Sequence, residues 1–91
     1  RALKEQQVEA ERMLLAVDAA LATDGHLLTV DEQHAIQCAA DHLRSIALQS
    51  DHHAIRNAIH ALSHQTDHFA ALRMNRAVSM ALSGRKIDEL A

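Results

Sequence analysis

The sequence predicts an all-α protein, an antiparallel three-helix bundle with a long or bent third helix. Three observations lead there. The 91 residues include no Pro, two Gly, one Phe and no Trp or Tyr, so the turn residues and aromatic strands of an all-β fold are missing. Alanine, the best helix former, is the most frequent residue. Apolar residues recur at helical spacing in three stretches separated by two short joints.

The first helix is expected over about 2–22. Leu3, Ala10 and Val17 repeat every seven residues, as do Gln7, Leu14 and Leu21, and together they make one stripe with a polar break at Gln7. Glu5, Glu9, Glu11 and Arg12 fall outside it. Asp24-Gly25 marks the stop, with Gly25 expected in the left-handed conformation that ends many helices. Leu27 and Leu28 then plug the end of the bundle.

Thr29 followed by Glu32 is a capping box, so the second helix starts at Val30 and runs to about 48. Ile36, Ala40, Leu43 and Ala47 step by four, three and four, giving it one buried face. Ser50 or Asp51 caps the third helix.

The third helix is expected over about 51–83, with a tail at 84–91 set off by Gly84. Ile55, Ile59, Leu62, Thr66 and Phe69 share a face, within about 40° of Ile55 at ~100° per residue. Beyond Phe69 the stripe rotates: Arg73 takes the old core direction and Met74, Val78 and Ala81 lie well round from it. As one rod the helix is ~48 Å long and overshoots the bundle. Two outcomes fit. It bends near 65–68, where Thr66 or Asp67 caps a short fourth helix, or it stays straight and offers Ala70, Met74, Ala77, Val78 and Ala81 to a second chain, making a homodimer.

Composition narrows the function classes. A formal net charge of −3 argues against a nucleic-acid partner. No apolar run approaches the ~20 residues of a membrane helix. A lone cysteine, Cys38, excludes an internal disulfide and fits a reducing compartment. A chain opening with Arg1 inside a helix reads as part of something larger. Eight histidines raise the question of a metal. His60 and His64, four apart, are the weak candidates, with His53 and His68 on the same face; that face lies opposite the core and reads first as a solvated surface. Its protonation below about pH 6 is expected to weaken folding through repulsion. Cys38 has His34 one turn earlier, without an oxyanion hole or pocket, so no catalytic residue and no enzyme activity is expected of this chain.

One resemblance extends these readings. Arg1-Ala2-Leu3, Glu5-Gln6, Val8-Glu9-Ala10, Asp24, Leu27-Leu28, Glu32, Ala39-Ala40, His42-Leu43, Gln65-Thr66, Phe69-Ala70-Ala71, Arg73-Met74, Val78, Ala81-Leu82, Gly84 and Asp88-Glu89 carry it. Over essentially the whole chain it resembles the C-terminal helical lid of the HscA family. These are DnaK-type heat-shock chaperones of bacterial iron–sulfur cluster assembly. The resemblance implies a lid that closes over a peptide-binding β-sandwich of the same parent chain and slows client release. It implies ATP and magnesium in an N-terminal domain outside this chain, and no cofactor within it. The implied partners are the client scaffold IscU and the co-chaperone HscB, and the implied compartment is the bacterial cytoplasm. It also implies a joint between the last two lid helices near Gln65-Thr66. A lid slows release only through contacts that favour the closed state, expected from the first half of helix one and the residues just upstream of Arg1; Glu5, Glu9 and Arg12 are the polar candidates there. Two alternatives stand beside it: a free-standing helical dimerisation or adaptor module, and a histidine-rich metal-binding bundle.

Overall fold

The computed structural model describes the backbone of residues 1–90 and the side chains of residues 1–84. Three α-helices, α1 (Ala2–Asp24), α2 (Val30–Ala47) and α3 (His52–Leu90), pack against one another, with one short 3-10 turn (Gly25–Leu27) after α1. The core is one cluster with contributions from every helix: Ala10, Val17 and Ala20 from α1, Ile36, Ala40 and Leu43 from α2, and Ile55, Ala58, Ile59, Leu62 and Phe69 from α3. Leu28 closes one end at 8% exposure, while Leu27 is half-buried. All four of the largest fully buried side chains, Ile36, Leu43, Ile55 and Leu62, come from α2 and α3. The seam between those two helices is therefore the densest part of the molecule.

The caps form as the sequence requires. The Thr29 hydroxyl accepts from Glu32 N at 3.1 Å and Glu32 Oε1 accepts from Thr29 N at 2.8 Å, the reciprocal pair of a capping box. Asp51 Oδ1 accepts from the backbone N–H groups of His53 and Ala54, so Asp51 caps α3.

Three expectations fail at helix ends. Gly25 is right-handed (φ −55°, ψ −27°), because the chain tightens into the 3-10 turn and Leu28 N donates to Gly25 O at 3.0 Å instead of reversing. The Gln33 side chain also donates to Gly25 O, at 2.6 Å, which ties the turn to α2. Second, the joint implied at Gln65-Thr66 is absent among the described residues; of the two outcomes open for α3, the one without a bend at 65–68 and without a short fourth helix is found. The Thr66 hydroxyl donates to Ser63 O at 2.9 Å, a bond within a running helix that offers no cap. With no Gly or Pro nearby, nothing breaks the backbone ladder. Third, Gly84 does not end α3, which is assigned through Leu90. A helical Gly weakens a helix but removes no backbone hydrogen bond. Ala91, the end of the expected tail, lies outside the described residues.

A straight helix of this length spans about 58 Å at ~1.5 Å per residue. The longest dimension of the molecule is also 58 Å, against 29 and 17 Å across. The long axis of the protein is thus α3 itself.

Candidate interaction surfaces

The junction where α3 leaves the bundle is built on a buried acid. Asp24, the last residue of α1, is only 5% exposed. Its Oδ2 accepts from Arg73 Nε at 2.9 Å, and Arg76 Nη1 lies 3.3 Å from Oδ1. The Arg73 hydrogen bond holds the Asp24 carboxyl below the usual carboxylate range; burial opposes that, and the positive charges of Arg76, Arg73 and His26 add to it. Arg73 occupies the direction that Phe69 and the core stripe set up, with its guanidinium 5.8 Å from the centre of the Phe69 ring. The Arg at a core-phase position was visible in the sequence as a break in the stripe. Its partner was not, because Asp24 reads locally as a helix-stop residue.

The polar candidates of α1 stand on its surface. Glu5, Glu9 and Arg12 are all exposed. Glu9 pairs loosely with Arg12, and Glu5 with Arg1, each at 4.0 Å. Pairs this exposed contribute little to stability, so these charges are free to meet a partner.

Across α1 from them, between α1 and α2, runs a groove that the periodicity reading did not anticipate. Leu14, Leu15, Ala47 and Leu48 line a space of about 440 Å³, rimmed by Gln7, Glu11, Asp18 and Arg44. Leu15 and Leu48 are 66% and 88% exposed. Arg44 bridges the helices at this rim, 2.7 Å from Asp18 and 2.8 Å from Asp41. Leu48 lay at the end of the expected helix, where a periodicity count assigns no face; that is why the groove was missed.

The distal stripe of α3 is also open. Ala70, Met74, Ala77, Val78 and Ala81 are all exposed and share one side of the helix, with Ala70 beside Met13 and Ala16 of α1 at the rim of a shallow groove.

His60 and His64 are exposed. His64 Nδ1 is 3.7 Å from Asp67 and His68 Nε2 is 3.2 Å from Glu32. Among the described residues, no group of three or more His, Cys, Asp or Glu is gathered closely enough to hold a metal ion. Two of the histidines thus have a carboxylate beside them. Cys38 is exposed, with Sγ 3.5 Å from His34 Nε2. No helix among the described residues is long and apolar enough to cross a membrane.

Comparison with known proteins finds close relatives. A "Chaperone protein HscA homolog" of Cupriavidus necator is 50% identical over 90 residues, which cover 99% of this chain and 14% of the relative. The protein of the same description from Burkholderia cenocepacia is 52% identical over 90 residues, with the same coverage of each. That from an Azoarcus species is 51% identical over 89 residues, 98% of this chain and 14% of the relative. The chain thus spans about one seventh of the length of the curated relatives it matches. No family model matches it.

Proposed function

From the premise that this chain is a homologue of part of the HscA chaperones, we propose that it is the helical lid of such a chaperone. In this reading it closes over a peptide-binding β-sandwich of the same parent chain and slows client release in iron–sulfur cluster assembly. The observation that carries the reading is about 50% identity across 99% of the chain. The all-helical architecture fits it.

A lid slows release only through contacts that favour the closed state. Glu5, Glu9 and Arg12 are the polar groups of α1 proposed for those contacts, and their exposure and loose pairing support the choice. The remaining parts of the proposal lie in the parent protein. There an N-terminal domain binds and hydrolyses ATP with magnesium, HscB delivers the client IscU, and the whole acts in the bacterial cytoplasm. The helical segment itself contributes position, not chemistry.

The test is the dissociation rate of a fluorescent client peptide from the full-length parent, with and without the segment corresponding to residues 1–91. Removal is expected to speed release several-fold in the ADP state. An unchanged rate would sink the lid reading.

A further inference from the structure

The groove between α1 and α2 has an apolar floor and an acidic rim. Leu14 and Ala47 are half-buried along the floor, and the exposed Leu15 and Leu48 stand beside them. Exposed leucines gathered around one depression mark a contact surface. On the rim, Arg44 is already taken: Asp18 holds it at 2.7 Å and Asp41 at 2.8 Å, two carboxylates on one cation. The other ion pairs of α1 join Arg1 to Glu5, Arg12 to Glu9, and Asp24 to Arg73 and Arg76, which leaves Glu11 without a partner among the described residues. Lys4 lies ahead of the lined stretch, which starts at Gln7, and Arg12 is paired with Glu9 on another face of α1. The carbonyl end of α2, at Ala47, adds partial negative charge at the same corner.

We propose that this groove binds an amphipathic helix of another protein, carrying two basic residues at i and i+7 and two apolar residues between them at i+3 and i+4. The proposal is independent of the lid reading. Three observations select that occupant. The first is charge. An acidic rim whose one guanidinium is neutralised by its own carboxylates attracts a basic partner and repels an acidic one. The second is the backbone of the groove walls. Both walls are helices, which spend their backbone groups internally, and the Ala47 carbonyl at the end of α2 already accepts from the Gln7 side chain at 3.4 Å. An extended peptide would find no ladder of donors and acceptors here, whereas a helix satisfies its own.

The third is spacing. Glu11 and Asp18 are seven residues apart on α1, about 10.5 Å along its axis, the same rise that separates residues i and i+7 of a partner helix. Residues i+3 and i+4 lie on that same face of the partner and enter between Leu15 and Leu48. The pattern reads the same from either end, so it fits a helix running in either direction. Three turns of helix in such a groove bury less than about 1,000 Å² in total, below the size of standard interfaces, so the docking is weak and reversible.

The probe is a fluorescein-labelled peptide of about five helical turns, built of Ala and Gln with Lys at i and i+7 and Leu at i+3 and i+4. Fluorescence anisotropy against the chain is expected to give a dissociation constant on the order of 100 μM. A second peptide with Glu in place of both Lys should bind about tenfold more weakly, and the gap should close at high salt. Leu15→Ser and Leu48→Ser should each weaken the Lys peptide about tenfold, with helicity unchanged by circular dichroism because both side chains are exposed. Glu11→Gln should weaken it about threefold, and Met74→Ser, on α3, should leave it unchanged. No saturation up to about 1 mM overturns the proposal. So does equal binding of the Glu peptide, binding that survives both leucine substitutions, or binding lost in Met74→Ser. A dimer in sedimentation equilibrium that disappears in Leu48→Ser also overturns it, because the groove would then belong to a second copy of the chain.

Discussion

The Asp24 carboxylate accepts a hydrogen bond from Arg73 and faces Arg76 where the end of α1 meets the outgoing part of α3. A buried charge of this kind is costly unless paired, and here two guanidinium groups pair it. Because the pairing lowers the folded-state pKa below the ordinary carboxylate value, the contribution of Asp24 to stability is present above about pH 4. It is lost as the pH falls further, through the folded value. Asp24→Asn should therefore lower the melting temperature by several degrees at pH 7, and the gap from the parent chain should narrow toward pH 3. Thermal melts across that range check it, and a gap independent of pH would show that the charge is idle. Half of this feature was legible in the sequence. Arg73 interrupts the stripe of Ile55, Ile59, Leu62 and Phe69 at a position calling for an apolar residue, but only folding brings Asp24 to it, 49 residues away.

Among the elements, α2 was the easiest to read and α3 the hardest. The Thr29-Glu32 capping box is a local signal, decided within four residues, and both of its hydrogen bonds form. The length of α3 is a contest between weak local preferences and the continuity of a hydrogen-bond ladder. Thr66, Asp67 and Gly84 each favour an end, yet none of them removes a backbone donor as Pro would. Gly84 makes a direct test. A Cβ built there meets nothing within 4 Å, and the backbone has no positive φ. Gly84→Ala is thus expected to raise helix content and stabilise by about 0.5–1 kcal/mol. Circular dichroism at 222 nm with urea titration would measure both. A helix that stopped at a left-handed Gly84 would respond with the opposite sign.

For the molecule as a whole, the pairing of three helices was legible because the seven-residue stripe of α1 and the four-and-three steps of α2 each define a single buried face. What remained hidden were properties of pairs of elements, such as the Leu15–Leu48 groove, which exists only once α1 and α2 are aligned. The core that results is thin and depends heavily on Alanine, so its few large residues carry most of the burial. Leu62 is fully buried on the face of α3 that packs into the bundle. Leu62→Ala should cost about 2–5 kcal/mol, enough to unfold much of a domain this small at room temperature. A urea midpoint within a few tenths of the parent value would mean that the bundle repacks around the loss.

The 58 Å length against 29 and 17 Å across also governs how the protein turns in solution. A body of that shape spins readily about the axis of α3 and tumbles end over end slowly. The N–H bonds of α3 lie along the slow-turning axis, and those of the Gly25–Leu27 turn do not all share that direction. Transverse relaxation of backbone amides should therefore be fastest along α3, and the uniformity of that excess from His52 onward would report how stiff the rod is.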